Sequence, residues 1–252
     1  MTVFKGGQMS EFRLGMQSYT FRNFKTLDEA IGLTKKAGLS YMELFSGHLS
    51  CDADDATVQA GLDKLKAAGI TPDSYGVHGF SKDEAANRRA LGFAKKAGIK
   101  ALSADIEPDA LDMAENLSKE YNVRLAIHNH GINHRYGTVK QLKELFGKTG
   151  ANIGLCLDTA WMLQTKTDPV KAAKIFGERL YGVHLKDFVF AADSSPKDVV
   201  LGEGGLKLEQ LFQALDSMNF SGYLSIEYEG EPDDPLPAVL RSVAKIKKVL
   251  GD

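Results

Sequence analysis

The chain has 252 residues, 43% hydrophobic and 25% charged, with Lys+Arg 31 against Asp+Glu 33 and a net charge of −2. That length buries a sizeable core as two small domains or as one large barrel. The balanced charge gives no footprint for nucleic acid or an anionic membrane, no apolar run approaches the length a bilayer requires, and MTVFKGGQMSEFR lacks the continuous apolar core of a secretory signal. Residues 1–11 are expected to be disordered. Cys51 and Cys156, the only cysteines, suit free thiols in a reducing, cytoplasmic compartment better than a disulfide framework.

From Phe12 onward one pattern recurs: helix, glycine, short strand, polar loop. Its clearest copies are LTKKAGLSYMELFSG, LKAAGITPDSYGVHG and FAKKAGIKALSADIEP, where Gly38, Gly69 and Gly98 stand roughly one βα unit apart. Lysines close each helix against its dipole, and the glycine supplies the left-handed cap. Strands are expected near Arg13–Ser18, Tyr41–Phe45, Asp73–His78, Ala101–Ala104, Arg124–His128, Ile153–Leu157, Tyr181–Leu185 and Tyr223–Glu227. Helices are expected to begin near Thr26, Asp55, Ser81, Asp109, Thr138, Asp168, Lys207 and Pro235, with capping boxes at Thr26/Glu29 and Ser81/Glu84. Such alternation predicts an α/β chain folded as one closed parallel (β/α)8 TIM barrel, with no linker and a single domain over 1–252. No glycine-rich phosphate fingerprint follows any strand, and the GEGG stretch ending at Gly205 reads as a turn. The segment FVFAADSSPKDVV, Phe188 to Val200, reads as a lid or a contact surface, so a homo-oligomer stays open.

In a barrel of this kind the active site belongs at the strand ends. All six histidines fall at or just beyond an expected strand end. VRLAIHNHG is the strongest signal, because strand periodicity puts His128 and His130 on one face and Asn129 on the other. Two imidazoles converging there suit a divalent metal or a proton transfer better than core packing. IGLCLDTAW adds Asp158, YGVHLKD adds His184 and Lys186, and GYLSIEYEG adds Glu227 and Glu229. Nitrogen and oxygen donors from separate strands suit one Mn, Zn or Co ion better than Mg.

The order IHNHG, LCLDTAW, VHLKD, GYLSIEYEG resembles the xylose-isomerase-like TIM barrels grouped as sugar phosphate isomerases and epimerases, over nearly the whole chain from Gly15 to about Ser242. The resemblance implies one divalent metal held by a Glu, an Asp, a His and a Glu of strands five to eight. Asp158, His184 and Glu227 match the last three, while His128 stands where many members carry the first carboxylate. This leaves His128 or His130 to complete the set.

The resemblance further implies an enzyme acting on a small carbohydrate, in keeping with the cytoplasmic setting and the lack of nucleic-acid or membrane partners read from the composition. The reading is an isomerase or epimerase that removes the proton next to a carbonyl through an enediolate. Glu227 and Glu43 are the paired bases, Lys186 steadies a substrate oxygen, and His130, His78 and Trp161 join Gln17 and Tyr19 around the substrate. Arg22, Arg135 and Lys186 are the cations that could meet a phosphate. The alternative is a dehydratase or lyase on a keto-sugar or keto-inositol. An apurinic endonuclease, which needs more metal ligands and a basic surface, and a non-catalytic barrel follow behind.

Overall fold

The computed structural model describes residues 12–251, so the expectation for residues 1–11 lies outside it. The chain runs β1 (Arg13–Gln17), α1 (Leu27–Lys36), β2 (Tyr41–Leu44), α2 (Asp55–Ala67), β3 (Thr71–Tyr75), β4 (His78–Phe80), α3 (Glu84–Ala97), β5 (Ala101–Ile106) and α4 (Leu111–Tyr121). It continues through β6 (Arg124–His128), α5 (Val139–Phe146), β7 (Ile153–Asp158), α6 (Thr159–Gln164), α7 (Pro169–Phe176) and β8 (Leu180–Leu185). The last elements are β9 (Asp187–Phe190), β10 (Pro196–Val199), α8 (Leu208–Ser217), β11 (Tyr223–Ile226) and α9 (Leu236–Leu250).

Local chemistry explains most of these boundaries. Thr26 and Glu29 form the expected capping box at α1, and Thr138 with Gln141 forms another at α5. Gly38, Gly69 and Gly98 take positive φ of 74°, 71° and 75° after helices that close on lysines, as the repeat requires. The box at Ser81/Glu84 does not form. Asp83 caps α3 instead, its Oδ1 accepting from the Ala86 N–H at 3.0 Å, because β4 carries the chain to Phe80 and delays the helix.

Neighbouring strands of the main sheet are parallel and follow the order β3-β2-β1-β11-β8-β7-β6-β5-β4. The two ends of that order, β3 and β4, are consecutive in the chain and separated only by Gly76 and Val77. The expected third strand is therefore split. At the break a Cβ on Gly76 would lie 2.4 Å from the Ser103 carbonyl oxygen, so only glycine lets this backbone press against β5. β9 and β10 pair as an antiparallel hairpin where a lid or contact loop was expected, and α6 is a short extra helix set off directly by Asp158.

Alternation along the strands separates two interiors. Leu14, Met16, Met42, Leu44, Leu125, Ile127, Leu155, Leu157, Val183 and Leu185 join the helices in one aliphatic core. The positions between them enclose a separate interior containing Ala101, Ala126, Cys156, Tyr181 and Tyr223. Polar groups in this second interior must find partners or stay uncharged.

Asp73 shows the cost. It is 5% exposed, and neither carboxylate oxygen has a hydrogen-bond partner. Burial, helped by the nearby Glu43, raises its pKa well above the ordinary value against a weaker opposing pull from Arg13. A raised carboxyl pKa contributes stability that is full below the unfolded value near 4 and is lost as pH rises toward the folded value. Asp73→Asn should therefore stabilise the protein by about 1–3 kcal/mol at pH 8, a gain that shrinks toward zero at pH 4. Thermal unfolding of both proteins across that range checks it; a gain independent of pH would show that Asp73 is ionised in the fold.

Candidate metal centre and its cavity

Four neighbouring strands of the sheet, β6, β7, β8 and β11, end at one place. His128 and Asp158 are the last residues of β6 and β7, His184 is the penultimate residue of β8, and Glu227 follows β11. Register holds them level, with Asp158 opposite His184 and His184 opposite Ser225. One donor atom from each of His128, Asp158, His184 and Glu227 lies within 4.8 Å of every other, and all four residues are buried. His128 Nε2 stands 3.4 Å from Asp158 Oδ2, and His184 Nδ1 stands 3.2 Å from Glu227 Oε2.

These donors fit a divalent ion. Tetrahedral bonds of about 2.0–2.2 Å place neighbouring donors roughly 3.4 Å apart. His128 Nε2, Asp158 Oδ2 and His184 Nδ1 are buried without a hydrogen-bond partner, a costly state that a cation would relieve. Their other atoms are held from behind. Asp158 Oδ1 accepts from the Trp161 N–H at 2.8 Å, so Asp158 both caps α6 and presents its second oxygen to the cluster. Asn129, turned away from His128 as the periodicity requires, accepts from the Asp158 N–H and donates to its carbonyl, locking β6 to β7.

His184 Nε2 lies 2.8 Å from Glu43 Oε2, which also accepts from Ser225 Oγ at 2.8 Å, while Ser103 Oγ bonds to Glu43 Oε1. Burial opposes a charge on His184, but the carboxylates of Glu43 and Glu227 on its two nitrogens overcome this and raise its pKa well above the ordinary value. Burial also pushes the neighbouring Cys156 thiol up, keeping it uncharged.

Above the cluster opens a cavity of about 440 Å³, walled by Tyr19, Phe45, Val77, Asp105, His130 and Trp161 among others. Gln17 and Glu227 also border it, as do His128 on its floor and His134 and Glu229 at its sides. His130 stacks on Trp161 with ring centroids 4.4 Å apart. Gln17 is fixed, donating to the Gly76 carbonyl and accepting from the Tyr19 N–H.

Four residues expected around the substrate lie elsewhere. Glu43 is fully buried beneath the cluster on His184, so it cannot serve as a second base at the rim. His78 packs among Tyr75 and Phe80, outside the cavity wall. Arg22 lies over the Tyr19 ring and donates to the Glu229 carbonyl at 2.7 Å. Lys186, 1% exposed, turns its ammonium onto Glu229, with Glu227 Oε2 at 3.8 Å. Burial pulls the Lys186 pKa down, but Glu227, Asp158 and Glu229 outweigh it and hold the ammonium charged. The same contact works on Glu227: burial would raise its carboxyl, and Lys186 and His184 hold it well below the ordinary range.

Asp105 escaped the sequence reading. β5 was expected to stop at Ala104 but runs to Ile106, and alternation from Ala101 through Ser103 turns Asp105 inward at the rim. Asp187, three residues after His184, accepts from the N–H groups of Gly202, Gly204 and Leu206, which gives the GEGG turn its function of anchoring the loop.

Residues 31–249 match the Xylose isomerase-like TIM barrel family, and the chain belongs to that family. Over 155 residues it is 26% identical to an inosose dehydratase of Clostridium botulinum, covering 55% of this chain and about half (52%) of that protein's length. Its fold superposes on the IolI protein with a bound zinc atom at a TM-score of 0.78 and 18% identity, covering 95% of this chain and 98% of that one. An L-ribulose 3-epimerase gives a TM-score of 0.72 at 18% identity, covering 95% of each chain. At such identities these two likenesses speak for the fold alone.

Proposed function

We propose that this chain is a divalent-metal-dependent enzyme that removes a proton next to the carbonyl of a keto-sugar or keto-inositol, and that the reaction is completed by loss of water. The four-donor cluster at the floor of the cavity carries this reading. His128, Asp158, His184 and Glu227 would hold the ion, with His128 rather than His130 completing the set, and two imidazoles among four donors favour Zn, Mn or Co over Mg. When bound, the ion supplies Lewis-acid polarisation of the carbonyl.

The chain's own residues do the rest. Trp161 and Tyr19 offer flat walls for the substrate's carbon face. His130, on the cavity wall, is the base that takes the proton from the carbon beside the carbonyl. The same imidazole returns that proton to the hydroxyl departing from the next carbon, which leaves as water while the electron pair of the broken C–H bond forms the new double bond. Glu43 orients His184 by accepting from its Nε2–H, which turns the Nδ1 lone pair toward the cluster. Lys186 is a positioning residue that keeps Glu227 ionised and holds Glu229 in place.

Dehydration is preferred to epimerisation because epimerisation needs bases on two faces of the substrate, whereas Glu43, expected to work opposite Glu227, is buried, and the other carboxylates on the wall, Asp105 and Glu229, are paired with Arg135 and Lys186. The likeness to an inosose dehydratase supports that order, whereas the fold shared with an L-ribulose 3-epimerase keeps epimerisation as the alternative. One barrel domain, with β3 and β4 as halves of one interrupted strand, is the architecture proposed. The unpaired Cys51 and Cys156 support a cytoplasmic setting, and among the described residues no helix is long and apolar enough to cross a membrane.

The metal-loaded protein incubated in deuterium oxide with an inosose should produce an enone absorbance. Deuterium in recovered ketone without loss of water would select epimerisation instead. No exchange with any ketose or inosose would end the proton-abstraction reading.

A further inference from the structure

We infer that the cavity selects an uncharged polyhydroxy ketone and rejects a phosphorylated one, a reading that rests on the enolisation proposed above. The cations around the cavity are already engaged. Asp158 and Glu227 are the two carboxylates that would face a divalent ion held by the cluster. The Lys186 ammonium is committed to Glu229 and Glu227 and is 1% exposed. The Arg135 guanidinium lies 2.6 Å from Asp105 Oδ1 and donates from Nε to the Ile106 carbonyl. Arg22 donates to the main-chain carbonyls of Glu229 and Tyr19 and rests on the Tyr19 ring.

Among the described residues, no lysine or arginine lines the cavity, whereas the carboxylates of Asp105, Glu227 and Glu229 do. A phosphate dianion entering here would meet carboxylates; to reach Lys186 or Arg135 it would have to break an ion pair and leave the carboxylate partner unpaired, and to reach Arg22 it would have to draw the guanidinium off two main-chain carbonyls and the Tyr19 ring. A neutral polyol meets the opposite situation. Carboxylate oxygens accept from hydroxyls, and Tyr19, Phe45, Val77 and Trp161 cover the carbon face of a ring. The cavity volume of about 440 Å³ is of the size that holds one small ligand.

Asp105 is the residue on which this selection turns. Its carboxylate stands at the rim beside His134 Nε2, at 3.4 Å, and holds Arg135. Asp105→Asn removes the negative charge and releases the guanidinium, converting a wall that repels phosphate into one that attracts it.

The test compares L-ribulose with L-ribulose 5-phosphate, and D-fructose with D-fructose 6-phosphate, on the metal-loaded protein. Binding is read by calorimetry and exchange by solvent deuterium. The neutral member of the preferred pair should bind and exchange at least tenfold better, with little dependence on ionic strength, and Asp105→Asn should narrow that preference at least fivefold. Preference for the phosphorylated ketose overturns the inference and leaves enolisation standing. An unchanged preference in Asp105→Asn overturns the assignment of Asp105. Exchange into none of the four, nor into an inosose, removes enolisation and this inference with it.

Discussion

Asp158→Ala and His184→Ala should each leave the protein without a bound divalent ion after dialysis, where the unaltered chain should keep about one. Structural zinc in zinc-finger peptides is bound with roughly 10–16 kcal/mol of apparent free energy from four donors, a scale on which loss of one donor weakens affinity by several orders of magnitude. The two substitutions differ in their side effects. Asp158 also caps α6 through Oδ1, so Asp158→Ala carries a further cost of about 0.5–2 kcal/mol in the stability of the metal-free protein. Asp158→Asn keeps an oxygen for the cap while removing the charge from the cluster, which separates the two roles.

Glu43→Gln should act through His184 and weaken metal binding by about 10–100-fold, the usual consequence of disturbing the partner behind a ligating histidine. Nitrogen chemical shifts of His184 in the metal-free protein should show its pKa falling once the Glu43 charge is removed. Metal content measured by mass spectrometry decides the main point: one ion per chain in both alanine variants would mean that the cation sits elsewhere.

The residues of this centre were legible because each lies at the end of a strand whose period is unmistakable. His128, Asp158 and His184 close runs of buried aliphatics, and a strand's alternation says which neighbours share their face. Depth was not legible. Glu43 sits one residue before the end of β2, much as His184 does in β8, yet it faces the interior below the rim and His184 faces the rim. Depth depends on how far each strand is staggered against its neighbours, a relation between residues over a hundred positions apart that no local pattern encodes.

The break at Gly76 was hidden for the same reason, since the close approach to Ser103 belongs to β5. Asp105 was lost to a boundary two residues short, which is where local patterns are weakest. Arg22 and Lys186 read as free cations because their acceptors, the Glu229 carbonyl and carboxylate, lie far along the chain.

Lys186→Ala should cost about 3–5 kcal/mol of unfolding free energy near neutral pH, the range expected when one partner of a buried ion pair is removed and the other stays. The ammonium is nearly inaccessible and faces Glu229 and Glu227, with the rings of Trp161 and Phe188 at 5.6 and 5.5 Å, so water cannot easily replace it. Metal content should survive, because Lys186 gives no donor atom and its removal takes a competing cation from Glu227. Turnover should fall, because Glu229 on the cavity wall loses the charge that fixes it.

A double-mutant cycle with Glu229→Gln separates pairing from packing. If the ion pair is the source of the cost, the double variant should be more stable than the sum of the single losses predicts, by about 1–3 kcal/mol. Additivity within about 0.5 kcal/mol in denaturant titrations would mean that Lys186 matters only as a buried side chain. Recovery of stability without recovery of turnover would assign Lys186 to holding Glu229 in place, which a purely structural lysine would not do.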